Sequence, residues 1–136
     1  MNKPLMRLGF VLLLLSLLAA LVAPQAQIPR LAVSAHSIGF MGGIMLFAIG
    51  AGWSAFSLSD RQKNLLKWSW IWANFGNWAG VSIASQTGAT DLLQINGGAP
   101  DAPIWATIIV YFFMITIMVA ALTGSVLGVM GLKKED

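Results

Sequence analysis

Four long apolar runs, separated by short polar breaks, order this chain of 136 residues. The first covers 8–23, is interrupted only by Gly9 and Ser16, and closes at Pro24. The second, 31–58, holds no Asp, Glu, Lys or Arg. The third runs over about 65–85 and the fourth over 104–132. Each of the last three exceeds the roughly 20 residues that carry a helix across a hydrocarbon core. The pattern predicts an all-α, integral membrane four-helix bundle. It is a single transmembrane domain over 1–136, with spans at about 7–24, 31–58, 65–86 and 104–132. A basic start before a leucine run also describes a secretory signal peptide. The Pro24-Gln25-Ala26 exit poorly matches the small residues needed at −3 and −1, so the run is expected to stay as a membrane helix.

The breaks carry boundary signals. Ser59 and Gln62 have the spacing of a capping box and start the third helix. Asp101, just before Pro103, suits a cap for the fourth, after a Gly/Pro loop at 97–100. Pairs with GxxxG spacing stand in spans two, three and four: Gly39/Gly43, Gly76/Gly80 and Gly124/Gly128. Such pairs let backbones approach closely in lipid, and so small a bundle is expected to self-associate as a homo-oligomer.

Composition agrees. Hydrophobic residues make up 57% of the chain and charged residues 10%, against about 25% charged in a soluble domain. The net charge of +3 reports basic residues at membrane faces and no nucleic-acid partner. Lys3 and Arg7 precede span one, Arg61, Lys63 and Lys67 mark the second break, and Lys133 and Lys134 follow span four. The first break has only Arg30, and the third has Asp91 and Asp101 with no basic residue. This alternation puts both termini in the cytoplasm and makes the chain a multi-pass protein of the cell inner membrane. With no cysteine, disulfides, thiolate metal sites and covalently attached haem are excluded.

His36, the sole histidine, sits near the start of span two. Ionisable groups inside spans are costly and usually functional. Two readings stand side by side: a neutral imidazole bonded to a neighbouring helix, or a metal or haem ligand. Gly39 and Gly43 project on the same side and would leave a bare strip for a flat ligand, or serve helix packing alone. In span three, Asn74 and Asn77 share a face, with Trp70 one turn before Asn74. Two amides in an apolar helix need partners, on another helix or on a ligand. Trp70 and Trp78 lie deeper than Trp68 and would wall a small aromatic substrate. Met41, Met45, Met114 and Met118 read as packing, Tyr111 as an ordinary buried tyrosine and Asp60 as helix capping.

Ala35-His36-Ser37, the basic turn at 61–67, and Trp72-Ala73-Asn74 with Gly76 together resemble one small family over residues 35–132. It comprises the membrane-bound styrene oxide isomerases and the hydroxylaminobenzene mutases; the chain length is more like a short form of the mutases. The resemblance implies a four-helix membrane protein, a trimer in the isomerase, with heme b (iron) between subunits. The haem-ligating histidine falls on His36 and the shared asparagine on Asn74. Gly42, Trp70 and Trp78 stand where the isomerase has asparagine, aspartate and tyrosine, and Asn77 where it has an aromatic residue. A changed pocket beside a retained histidine implies a changed substrate with the cofactor kept. The activity so implied is the rearrangement of hydroxylaminobenzene, a small aromatic hydroxylamine, to 2-aminophenol. Ferric haem on His36 would be the Lewis acid, Asn74 and Asn77 would orient the N–OH group, and Trp70 or Trp78 would stack on the ring. Epoxide isomerisation is the alternative within the family. An electron-carrying b-type cytochrome and a cofactor-free transporter are the competing classes outside it. Proton-coupled transport usually needs an acidic residue within a span, and none is present.

Overall fold

The computed structural model describes residues 1–90 and 102–132. These form four α-helices: α1 (Lys3–Val22), α2 (Pro29–Ala51), α3 (Asp60–Thr87) and α4 (Ile104–Gly131). Short 3₁₀ turns follow α1 at Ala23–Gln25 and α2 at Trp53–Ala55. No strand occurs among the described residues, only an isolated bridge between Phe56 and Leu132. Asp91, Asp101, the 97–100 loop, Lys133 and Lys134 lie outside the described residues.

Two boundaries differ from the sequence pattern. The second apolar run continues to residue 58, but α2 stops at Ala51 with Gly52 as its C-cap. Residues 56–58 then run alongside the end of α4, where the Ser57 amide donates to the Gly131 carbonyl at 2.7 Å and Leu58 packs on Gly131. Apolar composition does not distinguish a helix from an extended segment whose amides find partners elsewhere. α4 in turn has Pro103 at its N-cap position, with no side-chain cap.

The expected capping box is present. Ser59 Oγ accepts from the Gln62 amide at 3.4 Å, and Gln62 Oε1 accepts from the Ser59 amide at 3.0 Å. These bonds satisfy amides that have no partner within the helix. Ser59→Ala is expected to cost about 1 kcal/mol, read as a lower thermal midpoint in detergent with activity per folded molecule unchanged.

Each helix packs antiparallel on the next. Asn2 donates to Gly50 O at 2.7 Å, and Ile28 donates to Ser85 O at 3.0 Å, tying α1 to α2 at one end and α2 to α3 at the other. α4 rests mainly on α3, against Gly76 and Gly80, where Phe113, Met114 and Ile117 fill the space a side chain would take. α1 and α4 share no extensive contact, so the helices form a consecutive row. This order gathers Lys3, Arg7, Arg61, Lys63 and Lys67 at one end of the molecule, with Arg30 at the other.

Three of the helices, α1, α2 and α4, are long and apolar enough to cross a membrane. The expectation of a fourth such helix does not hold on hydropathy. α3 has the length, at 28 residues, but its first turns are charged and it carries Asn, Ser and Gln along the rest. It lies between α2 and α4, so much of its Trp, Asn and Ser content meets protein. Outward apolar residues such as Phe10, Leu21, Ile108, Ile115, Leu122 and Val129 are all exposed. A surface this apolar, several side chains deep on each helix, suits a hydrocarbon solvent.

Candidate functional site

The site begins with the two interruptions in the first apolar run. Gly9 crosses Gly43 so closely that a Cβ on either would lie within 2.7 Å of the other's carbonyl oxygen. One and two turns further on, this contact brings Ser16, which is fully buried, against His36 and Gly39. A hydroxyl in a leucine helix must find a partner, and here it finds two. Ser16 Oγ donates to the His36 carbonyl oxygen and lies 3.3 Å from His36 Nδ1, while the Ser16 carbonyl oxygen lies 2.9 Å from the same nitrogen.

These contacts fix the imidazole tautomer. A serine hydroxyl has one proton, and Ser16 directs it to the His36 carbonyl. Both oxygens facing Nδ1 are therefore acceptors, so Nδ1 bears the proton and donates it to Ser16 O. In the neutral ring Nε2 then carries the lone pair, and no described residue hydrogen-bonds it. A histidine whose Nδ1–H is anchored on a backbone carbonyl while Nε2 is open is in the state that metal-ligating histidines adopt. The ring is half-buried and lies 6.3 Å from the Phe40 ring. Among the described residues there is no cluster of three or more His, Cys, Asp or Glu. A bare ion would find too few donors here, whereas a porphyrin brings four nitrogens of its own and asks the protein only for an axial one.

The other residues singled out in the sequence divide into two groups. Gly39 belongs with His36, but the strip it shares with Gly43 is not bare. The site of a Gly39 Cβ is 2.5 Å from Trp78 Cδ1 and 2.9 Å from Ser16 Cβ, and that of Gly43 is 2.6 Å from Leu13 Cγ. Both glycines admit neighbouring helices, which fill the strip. Trp78 thus joins Ser16, His36 and Gly39 in one cluster. Asn74 lies lower on α3, with its Nδ2 donating to Trp70 O at 2.7 Å and its Oδ1 resting on Gly42. Trp70 departs from the expected grouping: its indole packs over Gly124 of α4, where the missing side chain leaves room for the ring's edge. Asn77 is half-buried with no hydrogen-bond partner among the described residues.

Beside this cluster a cavity of about 360 Å³ opens between α1, α2 and α3, lined by Leu15, Leu18, Ala35, Trp78, Ser82 and Gln86 among others. Its size falls in the lower range for small-molecule sites, and its walls are mostly aliphatic or aromatic. Sequence reasoning missed Ser16 and Ser82. Ser16 had a signal, as the one hydroxyl in its leucine run; Ser82 had none.

Comparison with known proteins gives the following. Residues 1–133 match the family described as styrene oxide isomerase. Hydroxylaminobenzene mutase HabA of Ectopseudomonas oleovorans is 35% identical over 98 residues, covering 72% of this chain and 67% of that protein. Hydroxylaminobenzene mutase HabB of the same organism is 26% identical over 132 residues, covering 96% and 80%. No solved structure matches significantly.

Proposed function

The chain belongs to the styrene oxide isomerase family, and from that premise we propose that it is a membrane-embedded mutase rearranging hydroxylaminobenzene to 2-aminophenol with the help of a b-type haem. The observation that supports the cofactor is the 2.9 Å contact of His36 Nδ1 with Ser16 O, which leaves Nε2 without a partner among the described residues. His36 would hold the haem, and the group would supply Lewis-acid chemistry toward the N–O bond when bound.

The protein's own part is binding and exclusion. Trp78 offers an aromatic face on the cavity wall, and the aliphatic side chains of α1 opposite enclose the substrate ring. Asn77, whose amide has no partner among the described residues, is not part of the cavity lining, and its assignment to the N–OH group rests on its place next to Trp78 on α3. Asn74 holds α3 against Gly42 and so sets the height of Trp78 beside Gly39. An apolar cavity keeps water from the electron-poor species formed when the N–O bond opens. The hydroxyl moves from nitrogen to the adjacent ring carbon and the proton that carbon loses is replaced by one on nitrogen, so no net oxidant or reductant is consumed.

The basic end of the molecule faces the cytoplasm by the positive-inside rule, in the inner membrane, with both termini on that side. Apolar faces of α2 and α4 serve lipid and a second and third copy of the chain, in a homotrimer.

The test is product analysis. Detergent-purified protein is incubated anaerobically with hydroxylaminobenzene or with styrene oxide, and the products are separated by chromatography. We expect 2-aminophenol as the main product and little phenylacetaldehyde. Preferential turnover of styrene oxide would overturn the substrate assignment in favour of epoxide isomerisation.

A further inference from the structure

At the basic end of the molecule a recess of about 220 Å³ lies in the seam between α1 and α2, lined by Lys3, Met6, Arg7, Phe10 and Phe47. Lys3 and Arg7 are four residues apart on α1 and rise from one side of the helix. Neither has an ion pair or a side-chain hydrogen bond among the described residues. Asp60, the first residue of α3, is the one carboxylate among those residues, and it pairs with neither cation. One turn further along α1 the character changes. Phe10 meets Phe47 edge to face, with ring centroids 5.3 Å apart, and remains 59% exposed. The recess is cationic at its rim and aromatic along its wall. Its shape is held by the backbone: the Asn2 amide donates to Gly50 O at 2.7 Å, Asn2 Oδ1 accepts from the Leu5 amide at 3.1 Å, and Met6 packs on Gly50. These contacts clamp the first turn of α1 to the last turn of α2 and fix the cations above the rings.

We propose that this recess binds an anionic glycerophospholipid, with its phosphate between Lys3 and Arg7 and the upper part of an acyl chain along Phe10 and Phe47. Charge selects the headgroup. Like charges four residues apart on a helix repel, and a phosphate between them turns that repulsion into two attractions. The guanidinium offers paired donors to phosphate oxygens and the ammonium a point charge. A zwitterionic headgroup brings its own cation to the rim and cancels much of this gain. Depth selects the lipid. Lys3 and Arg7 precede the apolar run 8–23, which sets them at headgroup level with Phe10 below them in hydrocarbon. Basic pockets between membrane helices recognise anionic headgroups by this division of labour. A free phosphate meets the same cations but gains nothing from the aromatic wall. A lipid seated here bridges α1 and α2, and so reinforces the helix pair that further along brings Ser16 to His36. The proposal is independent of the mutase reading.

The experiment titrates the full-length protein in neutral detergent with phosphatidylglycerol or phosphatidylcholine of identical chains, read by native mass spectrometry. Wild type should bind phosphatidylglycerol about tenfold more tightly than phosphatidylcholine, and the double variant Lys3→Gln/Arg7→Gln should lose about that factor. Arg61→Gln/Lys63→Gln removes the same charge from the same end but outside the recess, and should change the affinity by less than about threefold. Phe47→Ala should weaken phosphatidylglycerol by about threefold or more through lost apolar contact. Phosphatidylglycerol should raise the thermal midpoint of wild type, and inorganic phosphate should leave it unchanged. Equal losses in the two double variants would assign the effect to diffuse charge and overturn the proposal. So would equal affinity for the two lipids, or stabilisation by inorganic phosphate as large as by phosphatidylglycerol. A Lys3→Gln/Arg7→Gln protein that keeps its lipid affinity but changes its oligomeric state would show a contact between copies of the chain instead, and the lipid site would fall. If Phe47→Ala does not fold, the charge variants decide, since Lys3 and Arg7 are exposed and hold no partner among the described residues.

Discussion

His36→Ala is expected to purify without the haem absorption band and with turnover of hydroxylaminobenzene reduced to background. The loss should exceed the 10–100-fold that follows removal of a residue supporting a metal ligand, because the proposed ligand itself is gone. Folding should survive. The variant gives up one hydrogen bond, Nδ1–H to Ser16 O at 2.9 Å, worth about 1 kcal/mol. It leaves the Gly9–Gly43 crossing and the Ser16 bond to the residue-36 carbonyl in place. Circular dichroism and size exclusion check that expectation. Free imidazole distinguishes a ligand from a structural residue: the ring is half-buried, so added imidazole should enter the vacated space and restore part of both the absorption band and the turnover. Full haem content and full turnover in His36→Ala would end the cofactor assignment. Ser16→Ala provides the graded comparison, since the backbone oxygen that holds Nδ1–H is untouched and the effect should stay within about tenfold.

Gly43→Val should be the most damaging single change to the fold. Even a bare Cβ at Gly43 would lie 2.6 Å from Leu13 Cγ, 2.7 Å from Gly9 O and 3.1 Å from Leu13 N. Two of these atoms are backbone, so no rotamer change relieves the clash and α1 itself must move. Overpacking of this kind costs about 1–3 kcal/mol for alanine, and a branched side chain adds to it. Any shift of α1 also displaces Ser16, and with it the carbonyl that orients His36. Gly43→Ala is therefore expected to lower the thermal midpoint and weaken haem retention together, and Gly43→Val to give little monodisperse protein. Gly128 is the control, since a Cβ there meets nothing within 4 Å. Gly128→Ala should be neutral, or slightly stabilising from the gain in helix propensity of up to about 1 kcal/mol. Equal stability of Gly43→Ala and wild type would show that the α1–α2 contact is looser than described.

Much of the scaffold was legible in the order of residues. Long runs without charge fix helices of spanning length, since a backbone in hydrocarbon must bond to itself. Ser59 and Gln62 marked the start of α3, because a capping box is a contact between residues three apart. The GxxxG pairs in spans two and three marked close helix contacts correctly, while Gly128 of the pair in span four meets nothing. The end of α2 was not legible, because the amide of Ser57 is satisfied by a carbonyl at the far end of α4. That α3 is less apolar than the other helices was legible in its charged first turns and its Asn, Ser and Gln residues, whereas its place between α2 and α4 depends on packing.

The site divides along the same line. The sequence by itself determined which chemical groups are available: one imidazole, the amides of α3, the tryptophans and no thiol, all within apolar helices. The tertiary structure decided how each group is used. It aimed Nδ1 of His36 at the Ser16 carbonyl, sent Trp70 to Gly124, packed Asn74 on Gly42, and left Trp78 Nε1 and Ser82 Oγ buried without partners. The physical reason is that composition and short-range spacing fix what a helix contains, whereas hydrogen-bond partners and open space come from the neighbouring helix, and the antiparallel register that sets them is written in no single segment.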